Sequence, residues 1–158
     1  MQNHWSNKTK ALITDPLMTS KEIFMLTPVF HPEIGGIESH LMDLCKALSL
    51  QTEFRVRVAT FQPIFILKKN DAPARETIGQ FEIHRFKWIF PGTFDRLAKI
   101  SPFLAELYLA PYFFFRSFML LFRYRRDVRV IHAQGLMAGV LAWILGALFH
   151  KPFLVSRN

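Results

Sequence analysis

Residues 23–50 read IFMLTPVFHPEIGGIESHLMDLCKALSL and join a short apolar run, a turn rich in proline and glycine, and an amphipathic segment. The run Ile23–Leu26 predicts a buried strand, and the prolines and glycines after it end regular structure. The apolar residues that follow recur at helical spacing, at Ile37, Leu41, Leu44, Cys45 and Leu48. The stretch therefore predicts a strand, a loop and a helix that packs one face, which is the unit from which the rest of the fold is extended.

The pair Gly35 and Gly36 lies directly before this helix. Glycines let backbone N–H groups approach a ligand closely, and a helix N-terminus carries a partial positive charge. The pair is accordingly a candidate binding site for the phosphates of a donor. It lacks the GxGxxG and GxxxxGK[ST] spacings of phosphate-binding loops, so a tight turn without a ligand is an equally good interpretation.

The charge balance of the chain favours an anionic partner. Its 158 residues contain 20 Lys and Arg against 12 Asp and Glu, a net charge of +8. Nucleic acid, anionic lipid headgroups and phosphorylated substrates all fit this balance. No zinc, helix-turn-helix or RNP-type motif accompanies the aromatic residues, so we expect no nucleic-acid partner.

Length, cysteine usage and the N-terminal residues indicate one cytoplasmic domain. Residues 1–20 have no continuous apolar core and predict a flexible tail rather than a secretory signal, which leaves residues 21–158 as the domain. The single cysteine, Cys45, excludes an intramolecular disulfide and favours a reducing compartment. The longest apolar run, Leu136–Phe149, has 14 residues, shorter than the ~20 that a spanning helix needs, and predicts a buried helix.

Further along the chain, strands and helices alternate. Besides Ile23–Leu26, we expect four strands, the first of them nearer a sheet edge because charged residues alternate in it: 54–61, 81–86, 128–133 and 152–156. Residues 62–79 are interpreted as a long mobile connection. Residues 101–126 form an aromatic helix or a helix pair interrupted at Pro111. The pattern predicts a three-layer, Rossmann-like α/β domain with a parallel sheet and helices on both faces.

The aromatic segment ends in a cluster of basic residues: Arg123, Arg125, Arg126 and Arg129. Dense aromatic surface beside cationic side chains is typical of an element that lies on an anionic membrane. These four arginines are therefore candidate membrane-facing residues, and a peripheral position on the inner face of a membrane is expected. The alternative is a core helix with a solvated basic end, since Glu106 and Arg116 make the segment a poor membrane span.

Ligands of such sheets bind beyond the carboxyl ends of the strands. His132 lies at the end of the predicted strand 128–133, where an imidazole can act as a base or form a hydrogen bond with a sugar or phosphate, and Gln134 beside it is an amide donor and acceptor. A core histidine with satisfied hydrogen bonds is an equally good interpretation of His132. The first loop adds His31, Glu33 and Glu38. No HExxH, CxxC or clustered-carboxylate spacing is present, so we assign no metal.

Three stretches, in this order, resemble the N-terminal Rossmann-like domain of glycosyltransferase family 4, a group of GT-B enzymes: PVFHPEIGGIESHLMDLCKAL, VIHAQGLMAGVLA and KPFLVSRN. The resemblance covers residues 21–158. It implies retaining transfer of a sugar from a nucleotide-sugar cosubstrate, without an obligatory metal or other cofactor, to an acceptor that is lipid-linked in many members.

The resemblance also implies roles for individual residues. Gly35 and Gly36 would approach the donor phosphates, while His31, Glu38, His132, Gln134 and Arg157 would lie in the acceptor cleft. Many members carry a histidine where this chain has Gln134, so His132 is carried over only as a cleft residue and no catalytic residue is assigned.

The second Rossmann-like domain of the family, which holds most donor contacts and an ExxxxxxxE glutamate pair, has no counterpart in this sequence. The chain is therefore expected to be the acceptor-side part of an enzyme, as a fragment or as one subunit that pairs with a separate donor-binding chain, and to be inactive alone. The alternative is a non-catalytic Rossmann-like binding module or a membrane-attached scaffold that pairs with another chain.

Overall fold

The computed structural model describes residues 21–33, 35–50, 54–63 and 72–156. The expected tail at 1–20 and the cleft candidate Arg157 lie outside these residues. The described chain contains six strands, β1 (Lys21–Leu26), β2 (Phe54–Phe61), β3 (Arg75–Ile78), β4 (Phe81–Phe86), β5 (Val128–Gln134) and β6 (Phe153–Ser156). Its helices are α1 (Gly36–Ser49), α2 (Pro91–Ile100), α3 (Pro102–Tyr124) and α4 (Leu136–Phe149).

The strands form one sheet in the order β3-β4-β2-β1-β5-β6. All neighbouring pairs are parallel except β3 and β4, which are antiparallel. The parallel strands thus run third, second, first, fourth and fifth across the sheet, the order of a Rossmann-like fold. The predicted α/β class and the parallel sheet are confirmed.

Two apolar cores lie on opposite faces of this sheet, as a three-layer architecture requires. On one face, Leu41 and Cys45 of α1 pack on residues such as Met25 and Val58. Burial raises the pKa of the Cys45 thiol to about 12, so this cysteine is a packing residue. On the other face, α3 and α4 cover Phe24, Phe61 and Ile131 with Phe113, Leu121 and Leu145.

Two expectations about the strands are wrong. The strand at 54–61 is internal, between β1 and β4, rather than near an edge. It tolerates Arg57 because acidic side chains from both neighbouring strands pair with that arginine. The segment 62–79 also contains regular structure, since Arg75–Ile78 pairs with β4 as an edge strand.

Of the two alternatives for residues 101–126, the structure has the single helix: Pro102–Tyr124 is continuous, with Pro111 on its solvent-exposed side. A second helix, α2, precedes it and begins with Pro91 at its first position, where proline is favoured because its missing N–H has no helical partner there.

Candidate functional site

The order of the strands changes direction between β1 and β5, and we call the region at the carboxyl ends of these two strands the crevice. From β1 the chain continues to β2 and β4 on one side, and afterwards returns to β5 and β6 on the other. At such a switch point the two following loops diverge and leave room for a ligand at the carboxyl ends of the strands. The segment after β1 leads into Gly35 and Gly36, and β5 ends at Gln134.

His132 has two polar neighbours in this region. Its Nε2 atom lies 2.8 Å from the Oγ atom of Ser156, which is on the neighbouring strand β6. Burial lowers the pKa of the His132 imidazole, and the charge of His40 on α1 lowers this pKa further. Both effects favour the neutral form of the His132 imidazole.

Gln134 carries a polar atom whose hydrogen bonding is incomplete. The residue is only 5% exposed, and its Oε1 atom has no hydrogen-bond partner among the described residues. The next residue, Gly135, has φ 89°, a conformation that favours glycine, and starts α4 without a side-chain cap. A buried carbonyl oxygen beside a helix N-terminus can accept a hydrogen bond from a ligand hydroxyl.

Glu38 occupies the space beside Gly35. A Cβ atom at Gly35 would collide with the Glu38 carboxylate, whereas a Cβ atom at Gly36 would meet open space. Glu38 lies in the first turn of α1, where a carboxylate interacts favourably with the helix dipole. A phosphate at the Gly35–Gly36 turn would have to displace this carboxylate. The phosphate role of the pair stays a prediction.

The loop after β1 is hydrogen-bonded to β2 and β4, which lie on the side of β1 opposite to β5. The Phe61 N–H donates to the Pro28 carbonyl at 3.2 Å, and Arg85 Nη2 donates to the His31 carbonyl at 3.0 Å. His31 and Glu38 consequently line a cavity of about 170 Å³ that does not include His132 or Gln134, and its other lining residues are Glu33, Ser39, Met42, Asp43 and Lys46. The predicted cleft residues therefore fall into two groups.

No group of three or more His, Cys, Asp or Glu side chains within the described ranges could hold a metal ion. The four candidate membrane-facing arginines lie at the opposite end of the sheet from Gln134. Arg123 is in the last turn of α3, Arg125 and Arg126 follow that helix, and Arg129 is on β5 near its amino end.

His40 and Ser156 were not predicted as site residues from the sequence. Ser156 ends the predicted strand 152–156, and Gln134 directly follows the predicted strand 128–133, so this shared position at strand ends was an available signal. The contribution of His40 depends on how α1 packs on the sheet, for which the sequence gives no signal.

Comparison with known proteins found no matching family model and no matching curated protein. Among solved structures, the chain is similar to the C-terminal domain of PF1911 hydrogenase from Pyrococcus furiosus. The identity is 10%, the TM-score is 0.42, and the match covers 86% of this chain and 91% of that chain.

Proposed function

We propose that this chain is the acceptor-side domain of a retaining GT-B glycosyltransferase that uses a nucleotide sugar and needs a donor-binding domain for turnover. One observation carries the proposal. The three stretches that resemble glycosyltransferase family 4 supply Gly35–Gly36 after β1, Gln134 at the end of β5 and Ser156 at the end of β6, all at the carboxyl edge of the sheet.

The polar groups of this edge suit a ligand with several hydroxyl groups. The unpaired Oε1 atom of Gln134 can accept a hydrogen bond, and the Ser156 hydroxyl can donate or accept one. The imidazole of His132, 2.8 Å from the Ser156 hydroxyl, adds a third hydrogen-bonding group. No metal is needed for these contacts, and the nucleotide phosphates are held mainly by the donor-binding domain.

The second candidate function is a binding or scaffold module without catalysis. The Glu38 carboxylate beside Gly35 favours it, because this carboxylate takes the position at the start of α1 that a donor phosphate would use. In that case the crevice would still bind a polyol, but α1 would have no contact with a nucleotide sugar.

NMR titration of the isotopically labelled chain tests the acceptor site. We expect methyl glucoside and methyl mannoside to shift the amide signals of Gln134, Gly135 and Ser156. Gln134→Leu should abolish these shifts, while Gln80→Leu, the same change in the turn between β3 and β4, should leave them intact. Shifts that survive Gln134→Leu, or no shifts with either sugar, contradict the proposed site.

Activity measurements distinguish the two functions. Incubated with UDP-glucose or GDP-mannose and a lipid extract, the chain alone should transfer no sugar, because transfer needs donor and acceptor held in one geometry. Addition of a donor-binding domain, encoded either in the same reading frame after Asn158 or by a neighbouring gene, should give transfer. Robust transfer by the chain alone contradicts the proposal, and sugar binding without transfer in the presence of that domain favours the binding module.

A further inference from the structure

The outer side of α3 is apolar where a helix on a water-exposed surface is usually polar. Its buried residues recur every fourth position, at Ala105, Leu109, Phe113, Ser117 and Leu121. A parallel series on the opposite side faces solvent: Phe103, Leu107, Phe115 and Met119, each more than half exposed. The sheet covers only one side of α3, so these four side chains lie outside the core.

The neighbouring helix α4 extends this apolar surface. None of its 14 residues has a polar side chain, and Leu136, Val140 and Trp143 on its outer side are each at least half exposed. The two helices lie on the same face of the sheet and touch through Phe149, whose ring centroid is 5.3 Å from that of Phe118. We call the seven exposed side chains of α3 and α4 the outer apolar face. A contiguous patch of this kind marks an interaction site.

Basic side chains border one end of the outer apolar face. Arg123, Arg125, Arg126 and Arg129 follow closely at the C-terminal end of α3, and all four are exposed. Arg125 donates from Nη1 to the Phe122 carbonyl at 3.0 Å, and its guanidinium lies 4.3 Å from the centre of the Phe122 ring. Residues 102–156 contain five arginines and one lysine but only one aspartate and one glutamate. The surface is therefore apolar in its middle and cationic at its edge.

We propose that the outer apolar face binds an anionic lipid bilayer, with α3 and α4 lying in the plane of the membrane. Apolar side chains insert between the acyl chains, while arginines at the edge bind phosphate headgroups. Among the described residues, α3 is the one helix long and apolar enough to cross a membrane by length and composition. Its buried side packs on the sheet, however, so α3 binds the bilayer flat along its outer side. This inference does not depend on the proposed transferase activity.

Co-sedimentation of the full chain with vesicles tests this inference. We compare vesicles of pure phosphatidylcholine with an equimolar mixture of phosphatidylcholine and phosphatidylglycerol. Binding should be much stronger to the mixture, and added salt should weaken it because mobile ions screen exposed charges. Arg123→Gln combined with Arg126→Gln should weaken binding by roughly a factor of five for each arginine removed. Arg125 is left unchanged because it also caps α3.

Matched variants separate the surface from general effects. Lys46→Gln combined with Arg55→Gln removes the same charge from exposed positions outside the outer apolar face and should have a much smaller effect. Phe115→Gln combined with Met119→Gln should reduce binding at least tenfold, whereas Leu50→Gln, at an exposed apolar residue after α1, should not. Thermal unfolding of each variant verifies that the fold is retained.

Three outcomes would overturn the proposal. The first is equal binding to neutral and anionic vesicles, and the second is unchanged binding of the Phe115→Gln/Met119→Gln variant. The third is a concentration-dependent dimer in sedimentation velocity that the same two substitutions abolish, together with no vesicle binding. That result would assign the outer apolar face to contact between two copies of the chain.

Discussion

Arg57 on β2 and Glu22 on β1 form a two-pronged ion pair inside the sheet. Arg57 Nε lies 2.5 Å from Glu22 Oε1, and Nη2 lies 3.1 Å from Oε2. Burial alone would lower the pKa of Arg57, but the hydrogen bond and the charge of Glu22 raise it overall. Arg57 also pairs with Glu82 on β4, and its guanidinium stacks on the Tyr124 ring at 3.4 Å. One arginine thus links three strands and the end of α3.

Removal of Arg57 should destabilise the protein strongly. Arg57→Met leaves the carboxylates of Glu22 and Glu82 without their shared cation, and breaking a buried pair costs about 3–5 kcal/mol. Urea unfolding followed by circular dichroism measures this loss. Arg55→Met, at an exposed position two residues earlier on β2, should change the stability by no more than about 0.5 kcal/mol. Similar stabilities of the two variants would show that the pair contributes little.

The same ion pair explains why the position of β2 could not be predicted. Alternating arginines and apolar residues at 54–58 suggested exposure on one side and hence a strand near an edge. The partners that allow burial, Glu22 and Glu82, lie 35 and 25 residues away along the chain. Periodicity describes one segment at a time, so a buried arginine with distant partners looks like an exposed one.

Local patterns predicted five of the six strands and three of the four helices. The exception among the strands, β3, has four residues without a buried side chain, so it lacks the apolar alternation of a typical strand. In α3, aromatic residues occur on both sides of the helix, and only the packing of the sheet distinguishes buried Phe113 from exposed Phe115. At the site, strand ends identified Gln134 and His132, whereas their contacts to other elements required the structure.

The histidine beside the ion pair should make stability depend on pH. Burial lowers the pKa of His84 from 6.5 to about 4, and the charges of Arg57 and Arg75 lower it as well, against the opposing effect of Glu82. Between these pH values the unfolded chain binds a proton that the folded chain does not. Stability should therefore be highest above pH 6.5 and fall by about 1–3 kcal/mol as the pH drops to 4. Urea unfolding across this range measures the slope.

Substitution of His84 should flatten this pH dependence. His84→Gln removes the titrating group, and the remaining slope should come mainly from His132, whose pKa is also lowered, and at more acidic pH from Glu82. Burial alone would raise the pKa of Glu82, but the hydrogen bond from Arg75 and the charge of Arg57 lower it overall. An unchanged slope between pH 6.5 and 4 in His84→Gln would assign the effect to other residues.

Two glycines of α4 should respond differently to alanine. A Cβ atom at Gly139 would lie 2.9 Å from Cγ1 of Val155, a half-exposed side chain that can shift. A Cβ atom at Gly146 would lie 2.9 Å from the backbone oxygen of Lys151, which is fixed by the Lys151 N–H bond to the Gly146 carbonyl. Gly139→Ala should change stability by less than about 1 kcal/mol, because helix propensity offsets the contact, whereas Gly146→Ala should lose about 1–3 kcal/mol. Thermal unfolding compares them, and equal effects would contradict this packing.

The surroundings of His132 should lower its pKa measurably. Burial, followed by the charge of His40, lowers this pKa and so favours the neutral imidazole. NMR titration of the histidine ring protons should give His132 a pKa below the ordinary 6.5. His40→Asn should raise this pKa, because a positive neighbour is removed, but should leave it below 6.5, because burial remains.

His150→Asn is the matched control: His150 caps α4 with φ 53°, a conformation that asparagine tolerates, and this change should leave the His132 titration unaltered. A His132 pKa at or above 6.5, or an equal response to both substitutions, would show that burial and the charge of His40 do not lower this pKa.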